Sequence, residues 1–568
     1  MPQNIIVIGA VALGPKAACR FKRLEPDSEV TMVDQSKIIS YGGCGIPYFI
    51  SGDVSDAQQL QSTSFNMLRD EKFFKDAKDI QVLTNTRATA IDRTAKKVHL
   101  VNVLNGGEDA LPYDKLVIAT GSSPKRLQIP GTELAGVFTV SNIDEAVKIK
   151  EMVSAGMVGK AVIIGAGFIG LEIAEALADL WGIETTVIEI MDQVFPRFIS
   201  KNLAKMAQAH LEENEISFHL SEKVLRLEGN ESVERVVTDK RTIEVDLVVM
   251  AVGIQPNSDL AREAGLKVTS SGGIVVNQMM QTSDPDIYAG GDCVEIPNLI
   301  TGKPGHFPFG SLANRQGRVI GTNLASGNDG FEGAVGSFVV KLFEISVAGA
   351  GLTLEVARRE GFDAISAFVI QFDRAHFFPE KDLMVLEMVV EKGTARVLGI
   401  QGLGNKGDGM VGRINAVAEL LKHKPTTSDI GNLELAYSPP FSAAMDILNA
   451  LGNTAENILE EKNRVIEADE FCEFWTAREK DETCFLDCRG WGNAAEFVEK
   501  YPLHWKSIPQ DELRERIGEV PPDKRIVLIC NTGVRSYEAQ ITLDEVGIRN
   551  SYNLQGGMAA VKKLGFDI

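Results

Sequence analysis

Short apolar runs, each closed by a glycine turn or a carboxylate, recur along the chain. Ile5-Ile6-Val7-Ile8 runs into Gly9-Ala10-Val11-Ala12-Leu13-Gly14, a pattern that predicts a buried strand turning sharply into a helix. Thr31-Met32-Val33-Asp34 reads as the next parallel strand and ends in an acid. The same rhythm returns at Ala161-Val162-Ile163-Ile164, followed by Gly165-Ala166-Gly167-Phe168-Ile169-Gly170, a helical run, and the strand Thr185-Thr186-Val187-Ile188-Glu189. Near the C-terminus, Phe485-Leu486-Asp487-Cys488-Arg489 and Arg525-Ile526-Val527-Leu528-Ile529-Cys530 are short apolar strands ended by polar turns, with helices between them. The expectation is an α/β protein with two Rossmann-like nucleotide-binding domains and a smaller α/β domain at the end.

A strand, a glycine turn and a helix start place a pyrophosphate on backbone N–H groups, and the acid ending the next strand accepts from a ribose hydroxyl. Asp34 and Glu189 are those acids. The second turn has the full fingerprint at Gly165, Gly167 and Gly170; in the first, between Gly9 and Gly14, Val11 replaces the middle glycine. A carboxylate at Glu189 repels a 2′-phosphate, which predicts NADH over NADPH. Leu116-Val117-Ile118-Ala119-Thr120-Gly121, Val248-Val249-Met250-Ala251-Val252-Gly253 and Asp286-Ile287-Tyr288-Ala289-Gly290-Gly291-Asp292 supply further strands fitting a two-nucleotide protein.

At 568 residues the chain should split into several units of about 100 to 200 residues. The apolar fraction of 44% and charged fraction of 24% are those of an ordinary globular protein. A formal charge of −20 argues against nonspecific binding to nucleic acid or an anionic membrane. No apolar run reaches the roughly 18 residues of a spanning helix, and the first strand follows the N-terminus directly, so a cytoplasmic location is expected. Seven cysteines form neither a CxxC pair nor a zinc pattern, and no metal is expected. Only Cys44, in Ser40-Tyr41-Gly42-Gly43-Cys44-Gly45-Ile46-Pro47, and Cys530, heading Cys530-Asn531-Thr532-Gly533-Val534-Arg535-Ser536, stand in distinctive surroundings. Cys19, Cys293, Cys472, Cys484 and Cys488 read as small buried hydrophobes. Lys16, Arg20 and Arg23 stack on one helix face, either as a solvated stripe or as a local anion site. Of the histidines only His306, just before Asn314-Arg315, lies near the expected nucleotide site.

The two fingerprints and the strands around them, in this order, resemble the pyridine nucleotide-disulfide oxidoreductases. The resemblance implies that Asp34 and Asp292 bind FAD, that Thr120 and Gly121 line the same site, that Gly253 belongs to the nucleotide-binding set, and that Glu172 sits where nicotinamide meets the flavin. Ser40 to Tyr48 is similar to the active loop of coenzyme A disulfide reductases, in which one cysteine forms a mixed disulfide with coenzyme A. By that resemblance Lys16, Arg20, Arg23, Ser40 and Gly43 contact coenzyme A, the protein is a homodimer, and Tyr437 in Leu435-Ala436-Tyr437-Ser438-Pro439-Pro440-Phe441 donates a proton to, or orients, the sulfur at Cys44 of the other subunit. Two positions depart from the family: Gly43 replaces an asparagine, and Ala375-His376-Phe377-Phe378-Pro379 has phenylalanine where a tyrosine is common. The missing hydroxyl favours a persulfide or polysulfide over a bulky disulfide substrate.

Residues 465 to 568 resemble a rhodanese domain, with Asp487 and Arg489, Ile508-Pro509, the cysteine loop and Asn553-Leu554-Gln555-Gly556-Gly557 in family order. In such a loop backbone N–H groups and Arg535 cradle an anion at Cys530, which would carry sulfane sulfur. The expected layout is an FAD-binding domain over 1–150 and 251–330, an NAD-binding domain over 151–250, an α+β interface domain over 331–450, a connector over 451–464 and the rhodanese domain over 465–568. Electrons would pass from NADH through FAD to Cys44, which acts on a persulfide, polysulfide or coenzyme A disulfide. Two rivals remain at this point. One is an NADH oxidase or peroxidase cycling through Cys44 sulfenic acid. The other is a sulfurtransferase gated by the redox state of the flavoprotein.

Overall fold

A computed structural model describes residues 2–568, apart from the side chain of residue 408. The chain forms two compact units, Met1–Ile190 with Ile216–Ala334, and Met191–Glu215 with Val335–Ile568.

The first unit holds two parallel sheets of the doubly wound kind. One runs in the order Ile287–Ala289, Lys115–Ile118, Asn4–Ile8, Glu29–Val33, Gln81–Leu83. The other runs Ile216–His219, Glu184–Ile188, Lys160–Ile164, Leu247–Met250, Val137–Phe138. The central strands, Asn4–Ile8 and Lys160–Ile164, are covered on both faces and are therefore apolar throughout rather than alternating. In each sheet the chain leaves the central strand to one side and later returns on the other, which opens a crevice at the carboxyl ends of the strands.

The second unit contains an antiparallel sheet in the order Phe338–Leu342, Ile345–Gly351, Val397–Asn405, Leu383–Glu391, Ala364–Phe372, with the helix Asp408–Leu421 on it. The helix Ile447–Leu459 lies along Ala364–Phe372 and leads into the C-terminal domain. That domain is a parallel sheet, ordered Val465–Ile466, Ser551–Leu554, Arg525–Ile529, Thr483–Asp487, Trp505–Ser507, wrapped by helices. The architecture is therefore α/β, with two Rossmann-like domains, an α+β domain and a rhodanese-like α/β domain. Among the described residues, no helix is long and apolar enough to cross a membrane.

Candidate functional site

The two glycine turns have the same geometry. Gly9 and Gly165 both have φ +108°, a left-handed conformation that glycine adopts without strain. A Cβ on Gly9 would stand 2.1 Å from the Ala119 carbonyl oxygen, and one on Gly165 would stand 2.4 Å from that of Ala251. The turn thus lets the central strand and its neighbour across the switch point approach closely. Gly14 and Gly170 press against the turn itself, since a Cβ there would meet the Gly9 and Gly165 carbonyls at 1.9 and 2.0 Å. Asp34 Oδ2 accepts from the Ala10 N–H at 2.8 Å, and Glu189 Oε2 accepts from the Ala166 N–H at the same distance. Both acids are buried and stand at the crevice beside the turn.

The helices that follow, Leu13–Leu24 and Phe168–Ala178, start without a side-chain cap, and the positive ends of their dipoles lie at the glycine turns, a favourable place for an anionic ligand. Space around Gly167 is open, and a Cβ there would meet nothing within 4 Å. Val11 occupies the corresponding place in the first turn. Gly121, at φ +66°, is similarly open, and Gly253, at φ +99°, accepts from the Lys125 N–H through its carbonyl. Thr120 is turned inward: its hydroxyl donates to the Asn257 carbonyl at 2.6 Å, and Asn257 Nδ2 donates back to the Thr120 carbonyl at 2.9 Å. Asp292 accepts from the Ser122 hydroxyl at 2.9 Å, and burial raises its pKa. His306 Nε2 lies 2.8 Å from the Asp292 carbonyl oxygen, which gives this histidine a positioning contact.

Cys44 sits in the short 3₁₀ turn Gly43–Gly45, directly before the helix Ile46–Ser51. The residue is exposed. Even so, burial of its surroundings pushes the thiol pKa up, and the carboxylates of Glu172 and Asp292 add to the shift. Glu172 is itself raised to about 7, first by burial and then by the charge of Glu175. A compensating influence comes from the helix Gly310–Leu324: a Cβ on Gly310 would stand 3.8 Å from Cys44 Sγ, so the positive end of that helix faces the sulfur. Tyr48 joins this group, its phenol raised to about 12 by burial and then by Glu172. Ser40 is buried in a left-handed conformation, φ 51°, and donates its N–H to the Ala10 carbonyl at 2.7 Å, tying the cysteine loop to the first turn. Gly43 is exposed.

Lys16, Arg20 and Arg23 share one face of Leu13–Leu24, as their spacing predicts. Gly317 and Gly321 let the helix Gly310–Leu324 pack closely beneath them, against Lys16 and Arg20. Arg20 donates to the Thr322 hydroxyl at 3.2 Å. Among the described residues none of the three pairs with a carboxylate. A stripe of plain surface cations in so acidic a chain would be expected to find partners.

In the second unit, Cys530 ends the strand Arg525–Ile529 and is 2% exposed. Its sulfur accepts from the Gly533 N–H at 3.1 Å and the Ser536 hydroxyl at 3.2 Å. Ser536 is oriented by Asn553, 2.7 Å away. The Gly556-Gly557 turn packs onto the cysteine's own backbone, where a Cβ on Gly557 would meet the Cys530 carbonyl at 2.3 Å. Arg535 belongs to the same loop, but its guanidinium is not within hydrogen-bonding distance of the sulfur and has no hydrogen-bond or ion-pair partner among the described residues. Asp487 and Arg489 form a buried pair, Nη2 to Oδ2 2.8 Å, that also takes the Trp505 indole N–H at 3.0 Å. Their role is architectural. Tyr437 lies in an exposed segment held by a hydrogen bond from the Ala375 N–H to the Pro439 carbonyl, 3.2 Å. Cys293, Cys484 and Cys488 are buried, as expected of packing residues, whereas Cys19 and Cys472 are only half-buried.

Comparison with known proteins identifies three segments of the chain. Residues 3–307 match the family of the pyridine nucleotide-disulphide oxidoreductases, residues 337–448 their dimerisation domain, and residues 472–564 the rhodanese-like domain. The chain belongs to the pyridine nucleotide-disulphide oxidoreductases. It is 40% identical to an NAD-dependent persulfide reductase from A. fulgidus, covering 98% of this chain and 99% of that one, with a TM-score of 0.92. It is 30% identical to a Bacillus anthracis protein described as CoADR-RHD, covering 99% and 98%, with a TM-score of 0.90. An NAD(P)H sulfur oxidoreductase (CoA-dependent) of Pyrococcus abyssi is 34% identical over 79% of this chain and 97% of its own.

Members of this oxidoreductase family use FAD and NAD(P)H. The paired turns, the two acids and the open glycines fit two such nucleotides. Sequence reasoning missed Gly310, Ser122, Asn257 and Tyr48 as members of the site. Tyr48 sits four residues from Cys44, one helical turn along, and was findable by spacing; the other three come from distant segments with no local signature.

Proposed function

We propose that this oxidoreductase is an FAD-dependent NADH:persulfide or polysulfide reductase, able also to act on coenzyme A disulfide, with Cys44 as its single redox cysteine and Cys530 as a carrier of sulfane sulfur. The observation that carries the reading is Cys44 itself: an exposed thiol at the start of a helix, beside Gly310, while of the other cysteines of its unit Cys293 is buried in the core and Cys19 is half-buried against it. A thiol with no neighbour to close a disulfide must exchange with an external sulfur compound.

In the proposed reaction the Cys44 thiolate attacks the outer sulfur of R–S–SH, the S–S bond breaks, and R–S⁻ leaves. Cys44 then carries the sulfur as Cys44–S–SH. FAD, when bound, supplies a two-electron path from NADH. The sum is R–S–SH + NADH → R–SH + HS⁻ + NAD⁺, balanced in atoms and charge. Glu189 supports NADH as the donor, because its carboxylate opposes a 2′-phosphate. The carboxylate-free cations Lys16 and Arg23, next to Arg20, support phosphate contacts with coenzyme A, consistent with the naming of the Pyrococcus abyssi relative. A homodimer is supported by the matched dimerisation domain and by the exposed apolar side chains of Phe377, Phe441 and Met445 around Tyr437.

The test compares NADH oxidation with coenzyme A persulfide, coenzyme A disulfide, polysulfide, oxygen and peroxide under one set of conditions. Persulfide or polysulfide should be turned over fastest. Faster consumption of NADH with oxygen or peroxide overturns the proposal in favour of an oxidase or peroxidase. NADH-dependent sulfur transfer without reductase turnover overturns it in favour of a gated sulfurtransferase.

A further inference from the structure

Two cysteines of the C-terminal domain end neighbouring strands. Thr483–Asp487 and Arg525–Ile529 run parallel, with Cys484 paired to Ile526, Leu486 to Leu528 and Asp487 to Ile529. The next residue in each is a cysteine, Cys488 in one and Cys530 in the other. The ladder continues into this position, since the Cys488 N–H donates to the Ile529 carbonyl at 2.8 Å. Adjacent strands lie about 4.8 Å apart, inside the Cα separation of roughly 4.4–6.8 Å across which a disulfide closes. Cys484, four residues before Cys488, stands about 13 Å back along the strand and is out of reach.

The two side chains also share a face of the sheet. Cys484, Leu486 and Cys488 pack with Ile526 and Leu528, and Ala539 and Leu543 of the helix Val534–Glu545 cover them. Ser536, in the first turn of that helix, donates to the Cys530 sulfur at 3.2 Å, which puts this sulfur under the same helix. Both cysteines are buried. Burial, and then the charge of Cys530, hold the Cys488 thiol up, an interaction that requires the two groups to be close. A small apolar residue would fill the position of Cys488 equally well; a second thiol in register with the first adds chemistry to packing.

We infer that Cys488 is a resolving thiol for Cys530: when no acceptor takes the carried sulfur, Cys488 displaces it as sulfide and closes a disulfide with Cys530. The inference rests on reading Cys530 as a sulfur carrier and adds a discharge route to that site. In the step Cys530–S–SH + Cys488–SH → Cys530–S–S–Cys488 + H₂S, Cys488 Sγ attacks Cys530 Sγ. The bond from Cys530 Sγ to the outer sulfur breaks; that sulfur leaves reduced, with the proton of Cys488, and Cys488 is oxidised. The sulfane sulfur is itself the oxidant, and no other is consumed. Because Cys488 stays protonated the step is slow, which leaves time for transfer to an acceptor. The loop Asn531 to Arg535 over Cys530 walls a cavity of about 760 Å³, shared with Arg489 and with Phe368 and Gln371 of the strand Ala364–Phe372, and sulfide departs into it. Two equivalents of a small thiol, R–SH, then reopen the disulfide and leave as R–S–S–R.

The test uses the full-length Cys44→Ser protein as parent, without NADH, so that the reductase reading is not involved. Thiosulfate loads Cys530, the donor is removed, and the protein is held without oxygen or acceptor. Sulfide release is followed together with peptide mapping under non-reducing conditions. Sulfide should appear in step with a cross-linked pair of peptides containing Cys488 and Cys530. In Cys488→Ala the persulfide should persist, with sulfide release slower by about tenfold or more and no cross-linked pair, whereas Cys484→Ala should behave as the parent. The peptide pair is read in the parent itself, so the result does not depend on the folding of a variant. Loading without that pair, or a release rate unchanged in Cys488→Ala, overturns the inference alone. Failure of thiosulfate to load Cys530 in the parent overturns the carrier reading, and the inference with it.

Discussion

Gly167 and Gly170 are three residues apart in the same fingerprint, yet they serve different ends. A methyl group at Gly170 would meet the Gly165 carbonyl at 2.0 Å and Ala251 Cβ at 3.3 Å, so Gly170→Ala should cost about 1–3 kcal/mol, read as a lowered thermal midpoint. Gly167 has open space where a ligand would approach, so Gly167→Ala should keep its stability within about 1 kcal/mol and raise the KM for NADH about tenfold. Glu172 makes a second residue-scale prediction. Its carboxyl is held at about 7, so its charge appears as pH rises through neutrality. That charge holds the Cys44 thiol up, and Glu172→Gln should let Cys44 ionise at lower pH, measured as faster alkylation by iodoacetamide between about pH 7 and about pH 8. A decrease in that rate would contradict the assigned electrostatics. Local signals were enough to single out the glycines, the two acids and Cys44, because each stands in a short segment with its own signature: a strand-to-helix turn, a strand ended by a carboxylate, or a glycine-flanked loop. Gly310 and Ser122 act on Cys44 and Asp292 from far along the chain, where nothing in their own neighbourhood marks them.

At the scale of elements, the C-terminal domain meets the antiparallel sheet through buried carboxyl groups. Glu387, midway along Leu383–Glu391, accepts from the Ser200 hydroxyl; Glu467, before the helix Ala468–Thr476, accepts from Asn202 Nδ2 at 2.9 Å and Gln555 Nε2 at 2.8 Å. The Gln555 amide oxygen in turn takes the Phe368 N–H at 2.9 Å, next to the turn that packs on Cys530. Burial raises both acids, to about 7 for Glu387 and about 8 for Glu467, and Glu387 further raises Glu467. Both folded pKa values exceed the unfolded one, so this contribution to stability is complete in the acid range below ordinary carboxylate titration and is lost as pH rises through about 7 to 8. The second unit should therefore melt at lower temperature at about pH 9 than at about pH 6, and Glu387→Gln should flatten the dependence; an unaltered slope would contradict it. The Asp487–Arg489 pair predicts a different response: Asp487→Asn leaves the buried guanidinium without its counter-charge and should cost about 3–5 kcal/mol in chemical denaturation. The strands at Phe485 to Asp487 and Arg525 to Ile529 were legible in the sequence. The pairing of Glu387 with Glu467 was not, since one sits inside an apolar strand and the other in a run of surface acids, and only the folded chain joins them.

On the proposed reading the whole molecule joins two sulfur chemistries in one chain: a redox thiol, Cys44, in the unit that holds both glycine-turn sheets, and a sulfur-carrying thiol, Cys530, in the other. The fold class and the order of its parts follow from the recurring strand and turn pattern, because parallel strands covered on both faces leave a continuous apolar signature. The cavity left no such trace, since its walls come from well-separated stretches of chain whose proximity depends on packing. A net charge of −20 makes the basic stripe at Lys16, Arg20 and Arg23 stand out as a candidate anion site. The central claim is that electrons end on Cys44 while sulfur is carried on Cys530, and a crossed comparison of two variants tests it most directly. NADH-dependent persulfide reduction and thiosulfate:cyanide sulfur transfer are measured in Cys44→Ser and Cys530→Ser. The account predicts that Cys44→Ser loses reduction by at least about a thousandfold and retains transfer, whereas Cys530→Ser loses transfer and still reduces free persulfide. Persulfide reduction that survives in Cys44→Ser would contradict it.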